Sequence, residues 1–332
     1  MTGCDLLTPP LLGAALAGTG TAVPVRVVPN AEFADRYGLD TSDEWIGTRT
    51  GIRERRFAGP ADTAAALGAS AARRALAAAN LAATDLDLIA FATVTPDLMC
   101  PSCAALVQAE LGCRAIPAFD LSAACSGFLY GLATAVQFVR AGAARHALVI
   151  GAEVLSRTLD MTDRATCVLF GDGAGAAVLS AAPPDARAGV RAIRLYSDGA
   201  GGDLIRVPSA VTVPGGPART EVLGREVFRF AVTRMAELIR QGTADARELG
   251  REIDLLVPHQ VNQRIIDAAL GACGFPPDRV MVNLDRYGNT SSASVPMALD
   301  EAIRTGRCGP GDTVLLVAFG GGLTWGGALV TL

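Results

Sequence analysis

Short apolar runs alternate with longer runs of helical periodicity along this chain. The short runs are typical of buried strands and lie at 84–91, 116–121, 145–151, 169–179, 251–258, 280–284 and 312–330. Apolar residues spaced three to four apart predict helices at 63–79, 128–139, 227–240 and 293–304. This alternation predicts an α/β protein with mixed sheets that helices cover on both faces.

The strand and helix pattern occurs twice in the same order. The segments 84–91, 116–121, 145–151 and 169–179 correspond to 251–258, 280–284, 312–318 and 318–330, and each half ends in a Gly-rich stretch that predicts a hairpin. We therefore expect a loose tail at 1–12 and two pseudo-repeated halves, at 13–184 and 185–332. The seam falls at Asp185 to Gly189, and Ser209 to Arg219 reads as an exposed loop. Equivalent strand ends would form a site between the halves.

Composition narrows the class of protein. Half of the 332 residues are apolar and 19% are charged, which indicates a compact enzyme with a large core. The formal charge is 29 minus 33, or −4, without a basic cluster, so a nucleic-acid partner is not expected. The chain has no run of about 18 apolar residues, so we expect no membrane span. The N-terminus lacks the basic start of a signal peptide. We expect a cytoplasmic protein that does not bind membranes.

Eight cysteines are scattered along the chain. We expect no disulfides, because the composition resembles that of an enzyme from a reducing compartment. Cys100 and Cys103 form a C-x-x-C pair, but a zinc site would need two further ligands and the chain has only His146 and His259. A redox or zinc role for this pair is therefore disfavoured.

Cys125 lies where an apolar strand gives way to small residues and then to the helix predicted at 128–139. Backbone N–H groups and the positive end of the helix dipole meet at such a position, and both stabilise a thiolate. Cys125 is therefore a candidate nucleophile at neutral pH. The alternative is a small buried hydrophobic residue, which is what most free cysteines are.

Three other segments are candidates to converge on Cys125. His259 follows the buried strand at 251–258, and strand ends are where sites of α/β proteins lie, although a single histidine is often structural. Asn289 lies in a Gly-Asn-Thr-Ser turn that could equally be a helix cap. Residues 320–322 are three glycines, which let backbone N–H groups approach an oxyanion or simply close a tight hairpin.

Seven ordered motifs resemble those of the β-ketoacyl-(acyl-carrier-protein) synthase III family. They lie at 40–46 (DTSDEWI), 49–53 (RTGIR), 123–128 (AACSGF), 170–175 (FGDGAG), 258–260 (PHQ), 288–291 (GNTS) and 319–322 (FGGG). The likeness extends from about residue 13 to 332. It implies a thiolase-like fold, in which two halves with mixed five-stranded sheets form a five-layer αβαβα arrangement. It also implies a homodimer with an acyl-CoA primer and malonyl-acyl-carrier protein as substrates.

The resemblance assigns roles to individual residues. Cys125 would be acylated, His259 and Asn289 would stabilise an enolate formed by decarboxylation, and the N–H groups of Cys125 and Gly321 would form the oxyanion hole. The residues implied in CoA or pantetheine binding are Thr41, Trp45, Arg49, Arg164, Phe228, Asn262 and Arg264. Those implied in the acyl pocket are Cys100, Leu155, Phe170 and Phe319. The aromatics among them could instead be core residues, and the arginines could be solvated charges. No metal or redox cofactor is expected.

Two departures from the family pattern bear on specificity. Cys100 stands where many members carry a bulky aromatic residue that closes the primer pocket across the dimer, so we expect a deeper pocket and a longer or more branched primer. Gly271 and Ala272 stand where members often place lysines that meet the acidic carrier protein. The arginines expected to replace them are Arg225, Arg229, Arg234 and Arg264.

Three rival functions remain open at this point. A related acyltransferase would pass its acyl group to an oxygen or nitrogen nucleophile without decarboxylation, but such relatives often alter the triad, so Asn289 favours condensation. A biosynthetic thiolase would need a second cysteine near the C-terminal glycines, and Cys308 lies before the last strands. A non-catalytic subunit would have no reason to keep Cys125, His259 and Asn289 together.

Overall fold

The computed structural model describes residues 12–208 and 219–332. The tail expected at 1–12 lies outside the described residues except for its last residue, and so does the loop expected at Ser209 to Arg219 except for Arg219. The described strands are β1 Gly13–Ala22, β2 Val27–Pro29, β3 Glu54–Arg56, β4 Leu88–Ala92, β5 Ala118–Leu121, β6 His146–Glu153, β7 Gly173–Ala182, β8 Gly189–Ser197, β9 Ile205–Arg206, β10 Glu221–Val222, β11 Leu255–Pro258, β12 Thr313–Gly320 and β13 Thr324–Thr331. The helices are α1 Ala31–Asp35, α2 Asp43–Thr50, α3 Ala64–Ala79, α4 Cys103–Leu111, α5 Gly127–Arg140, α6 Gly224–Glu248, α7 Gln263–Cys273, α8 Leu284–Tyr287 and α9 Ser294–Arg304.

The first sheet has five strands in the order β1-β7-β6-β4-β5. β4 runs parallel to β5 and β6, whereas β7 is antiparallel to β6 and β1, so the sheet is mixed as expected. β6 and β7 form the predicted antiparallel pair, but residues 154–172 join them instead of a tight turn. This long connection brings Leu155 and Phe170 to the site described below.

The second sheet has four described strands in the order β11-β12-β13-β8. A fifth strand was expected at 280–284, and this prediction is wrong. Val280 makes only an isolated bridge with Leu256, and the Asn283 N–H donates to the Gln260 side chain at 2.9 Å instead of to a strand. The chain then turns directly into α8.

The helices and sheets pack in five layers, and three apolar clusters lie between these layers. α3 and α4 pack on the outer face of the first sheet, α5 and α9 fill the space between the sheets, and α6 and α7 cover the second sheet. The expected αβαβα arrangement is therefore confirmed. The first sheet uses residues 13–182 and the second uses 189–331, while the division of the chain at residue 185 stays a prediction.

The predicted helices at 63–79, 128–139 and 293–304 are confirmed to within one residue at each end. The helix predicted at 227–240 is longer and runs from Gly224 to Glu248. Gly242 lies inside this helix and does not end it. The glycine allows α6 to pack closely against β12. A Cβ at this position would lie 2.5 Å from Cδ1 of Leu315 on β12.

The carboxyl ends of three strands lead into the candidate site. β5 precedes Cys125, β11 precedes His259, and β12 ends at Gly320. The two middle helices, α5 and α9, begin beside them. Within 12–208 and 219–332, no helix is both long and apolar enough to cross a membrane.

Candidate active site

Cys125 lies in a single 3₁₀ turn, Ala124–Ser126, directly before α5. Ala124 has a φ of 46°, which is unusual for a residue with a side chain and is typical of functional turns. The turn is held from the other half of the chain, because Thr324 Oγ1 donates to the Ala123 carbonyl at 2.8 Å. A Cβ on Gly320 would lie 2.5 Å from the Cys125 nitrogen, so only glycine fits there. The position predicted for Cys125 at a helix start is thus confirmed.

The electrostatics of Cys125 differ from the expectation. Burial raises the pKa of the Cys125 thiol to about 12, the Ser291 hydroxyl lowers it by hydrogen bonding, and the nearby Glu153 charge raises it further. The thiol is therefore protonated at neutral pH in the free protein. Loss of solvation therefore outweighs the stabilisation of a thiolate that was expected from the helix start.

His259 is fully enclosed at the end of β11. Its backbone N–H donates to the Val317 carbonyl at 2.7 Å, its ring Nδ1 lies 2.6 Å from Ser294 Oγ, and its ring packs edge-on against Phe319. Burial lowers the pKa of His259 to about 3, so the imidazole is neutral. A neutral ring carries one N–H, as a hydrogen-bond donor to a carbonyl requires.

Asn289 is held by its backbone and by its side chain. It forms a parallel bridge with Phe170, and its Oδ1 accepts the N–H of Ser291 at 2.8 Å. Because the oxygen is engaged, the amide group offers its Nδ2 hydrogens as donors.

The turn at Ser291 lies between Cys125, His259 and Asn289. The Ser291 N–H donates to Asn289, and its carbonyl accepts both the N–H and the hydroxyl of Ser294, the partner of His259. Its hydroxyl donates to Glu153 at 3.1 Å and lowers the pKa of the Cys125 thiol. Ser291 has a φ of 49°, so this turn is also strained. The structure therefore brings Cys125, His259 and Asn289 to one network.

Glu153, at the end of β6, is a buried carboxylate beside this network. It accepts hydrogen bonds from Ser291 and Ser292 at 3.1 and 2.9 Å, and from Thr95 at 2.6 Å. Burial raises its pKa, and the hydroxyl and backbone donors oppose this effect. Sequence reasoning missed Glu153, Ser291 and Ser294. An acidic residue at the end of an apolar strand was the available signal for Glu153.

A cavity of about 450 Å³ opens at Cys125. Among the predicted pocket residues, Leu155 and Phe170 line it, and so does the oxyanion candidate Gly321. Phe319 does not line it. Its ring is buried beneath His259 and packs against Phe230, which corrects its assignment to the acyl pocket. Cys100 is exposed and lies outside the cavity lining of the single chain.

The candidate nucleotide-binding residues form one surface cluster. The guanidinium groups of Arg49 and Arg164 lie 4.7 and 4.6 Å from the centre of the Trp45 ring. Thr41 Oγ1 is buried, without a hydrogen-bond partner among the described residues. An aromatic plane with two cations and an unpaired hydroxyl fits an adenine nucleotide.

The candidate pantetheine residues lie around the start of α7. Asn262 caps this helix by accepting the N–H of Arg264 at 2.9 Å, which leaves its amide hydrogens available, and Arg264 is exposed. Phe228, on α6, is half-buried against the apolar cluster of α6 and α7. The end of α2 meets this region, since a Cβ on Gly51 would lie 2.6 Å from that of Gln263.

Comparisons with known proteins agree with this fold. A family model described as 3-oxoacyl-[acyl-carrier-protein (ACP)] synthase III matches residues 119–199, and the model of its C-terminal part matches 244–332. The β-ketoacyl-[acyl-carrier-protein] synthase III of Erythrobacter litoralis is 50% identical, with 96% of this chain and 99% of that protein covered.

Two solved structures extend the comparison. The 3-oxoacyl-[acyl-carrier-protein] synthase III of Aquifex aeolicus VF5 has a TM-score of 0.89 and 44% identity, covering 96% of this chain and 100% of the other. The priming β-ketosynthase of the R1128 polyketide pathway has a TM-score of 0.90 and 36% identity, covering 98% of both. Fold and site together define a thiolase-like condensing enzyme, an acyltransferase. The chain belongs to the β-ketoacyl-[acyl-carrier-protein] synthase III family.

Proposed function

We propose that this chain joins an acyl-CoA primer to malonyl-acyl-carrier protein by decarboxylative condensation, through an acyl-Cys125 intermediate, and so initiates fatty-acid or polyketide chains. The supporting observation is the turn at Ser291, which is hydrogen-bonded to the Asn289 amide and, through Ser294, to the His259 imidazole, and which lines the same cavity as Cys125. These groups supply a nucleophile and two hydrogen-bond donors, and the reaction needs no metal or redox cofactor.

The first half-reaction transfers the acyl group to sulfur. Cys125 attacks the primer thioester, the N–H groups of Cys125 and Gly321 stabilise the oxyanion, and CoA leaves as its thiol with the proton that Cys125 gives up. Trp45, Arg49, Arg164 and Thr41 would hold the nucleotide, while Phe228, Asn262 and Arg264 would line the path of the pantetheine arm.

The second half-reaction forms the carbon–carbon bond. His259 and Asn289 donate hydrogen bonds to the malonyl thioester carbonyl, so that the electrons left by departing CO2 are stabilised as an enolate. The enolate carbon attacks the acyl-Cys125 carbonyl, and the Cys125 thiolate leaves and takes up one proton from solvent. The low pKa of His259 suits this role, because the neutral imidazole donates a hydrogen bond without becoming an imidazolium.

Release of labelled CO2 from malonyl-carrier protein separates this reaction from transfer to an oxygen or nitrogen nucleophile. We expect primer-dependent release by the purified chain. Asn289→Ala should reduce it by about 10²-fold, in line with the loss of one oxyanion donor. Cys273→Ala, which changes another half-buried cysteine, serves as the control. Acyl transfer without CO2 release would favour the alternative acyltransferase.

We infer a primer longer or more branched than acetyl. Cys100 is smaller than the aromatic residue common at its position in the family, and the cavity at Cys125 already measures about 450 Å³ within one chain. Acyl-CoAs of four to eight carbons should therefore compete with acetyl-CoA for Cys125. Acetyl-CoA outcompeting all of them would contradict this inference.

We further propose a homodimer formed along the free edge of β5. β5 pairs only with β4 among the described strands, and the nearby Leu98 and Met99 side chains are 50% and 85% exposed. This placement would bring Cys100 of each subunit towards its partner. The proposed location is the cytoplasm, a reducing compartment in which the seven described cysteines would persist as free thiols.

A further inference from the structure

Asp172 is a buried carboxylate that the proposed mechanism does not use. It lies just before β7, is fully enclosed, and accepts the Ser156 N–H at 2.8 Å, the Ser156 hydroxyl at 2.5 Å and the Ala58 N–H at 2.7 Å. The two backbone donors contact different oxygens, Oδ1 and Oδ2. Since the amide protons have fixed positions, these two bonds do not depend on where the hydroxyl proton lies. Asp172 therefore joins two segments that are distant in sequence.

One of these segments forms part of the wall of the cavity at Cys125. Ser156 belongs to the 3₁₀ turn Leu155–Thr158, which directly follows the end of the first sheet. Leu155, the first residue of this turn, is 2% exposed and lines the cavity. Asp172 thus holds the end of the turn that carries Leu155.

The chain around Asp172 contributes a second lining residue to the same cavity. Phe170 precedes Asp172 by two residues and lines the cavity. The backbone N–H of Asp172 donates to the Arg56 carbonyl at 2.9 Å, so this segment is itself fixed against β3. The separation of Leu155 and Phe170 therefore depends on the contacts of one side chain.

We propose that Asp172 is a positioning residue of the primer pocket, which fixes Leu155 relative to Phe170 and thereby sets the length of acyl chain that the cavity accepts. This inference deepens the proposed function and rests on acylation of Cys125 by a primer. An acetyl group occupies only the part of the cavity next to the sulfur, whereas acyl groups of four to eight carbons extend further into the 450 Å³. A displaced Leu155 therefore affects the longer primers more than acetyl.

Hydrogen–deuterium exchange tests the positioning without any substrate. Asp172→Asn keeps the size of the side chain but replaces one acceptor oxygen by an NH2 group, so one of the two backbone N–H groups loses its acceptor. We expect about tenfold faster exchange in peptides covering 155–158 or 57–59. Asp87→Asn is the matched control, because Asp87 also accepts two backbone N–H groups, at the opposite end of β6. Unchanged exchange in Asp172→Asn, or the same change in Asp87→Asn, would overturn the proposal.

Rates of Cys125 acylation by acyl-CoAs of two to eight carbons test the effect on the pocket. In Asp172→Asn, the rate with the best longer primer relative to acetyl-CoA should fall about tenfold, and Asp87→Asn should keep the wild-type ratio. Ser156→Ala removes only the hydroxyl contact and should lower the ratio roughly threefold, so it decides the question if Asp172→Asn does not fold. An equal fall with all primers, or an unchanged ratio, would overturn the role in the pocket.

A wild-type chain that acquires no acyl group would instead refute the proposed function. The exchange measurement would then still decide whether Asp172 holds the turn at Leu155.

Discussion

At the scale of single residues, the nucleophile Cys125 is a protonated thiol in the free protein. Cys125 is half-buried near the carboxylate of Glu153, and both the loss of solvation and that charge oppose a thiolate. Ionisation of Cys125 therefore has to accompany the arrival of the thioester, when the oxyanion hole is filled.

Replacing Glu153 by glutamine should make Cys125 more reactive towards iodoacetamide. The carboxylate charge raises the pKa of the thiol, so its removal lowers that pKa and shifts the pH profile of alkylation to lower pH. At neutral pH we expect roughly threefold or faster alkylation, since one pKa unit is worth about tenfold in thiolate. Glu226→Gln, on the exposed start of α6, is the control. Slower alkylation of Glu153→Gln would contradict this electrostatic role.

Trp45→Ala should weaken binding of acyl-CoA and spare that of short thioesters. Loss of the Trp45 ring, which lies near the guanidinium groups of Arg49 and Arg164, removes a stacking contact worth about 1–3 kcal/mol, or roughly tenfold in KM. An acyl-pantetheine substrate lacks the nucleotide, and its KM should change less than twofold. An equal change for both substrates would place Trp45 in the fold and not in the nucleotide site.

At the scale of elements, strand ends and tight turns position the chemistry. β5 and β12 come from different halves, and the absence of a side chain on Gly320 lets them meet at the Cys125 amide. These strand ends are visible in the sequence, because apolar runs that stop at Cys125, His259 and the glycines mark them. The strained turn at Ser291 is not visible, since a Thr-Ser-Ser run is equally typical of a helix cap.

Gly320→Ala should nearly abolish acylation of Cys125. The added methyl group would lie 2.5 Å from the Cys125 nitrogen, so the oxyanion hole has to deform, at a cost of about 1–3 kcal/mol in the free energy of unfolding. Gly309→Ala has open space around the new methyl group and is the matched control. Acylation rates and thermal unfolding measure both effects. Normal acylation by Gly320→Ala would show that this close approach is not needed.

At the scale of the whole molecule, the repeat in the sequence predicted two halves with mixed sheets, and the family resemblance implied the order of the five layers. The repeat wrongly predicted a strand at 280–284. Equivalent segments of a repeat need not pair in the same way, and here the Gln260 side chain accepts a backbone N–H that a neighbouring strand would otherwise bind. The repeat could not reveal Glu153 as a neighbour of Cys125, because their proximity depends on how β6 and the Ser291 turn meet. Such contacts between segments distant in sequence follow from packing and not from local pattern.

Met99→Glu should dissociate the proposed dimer. A charge in place of this exposed apolar side chain, near the free edge of β5, would be costly to bury between two subunits. Leu249→Glu changes another half-exposed apolar residue, at the end of α6, and should leave the assembly intact. Analytical ultracentrifugation distinguishes these outcomes. A wild type that sediments as a monomer, or an unaltered Met99→Glu dimer, would contradict the interface.

The most direct test of the central claim is the mass of the intact chain after incubation with acyl-CoA. We predict an increase equal to one acyl group, mapped to Cys125, absent from Cys125→Ala and discharged when malonyl-carrier protein is added. A chain that gains no acyl group, or gains it equally in Cys125→Ala, would contradict the account.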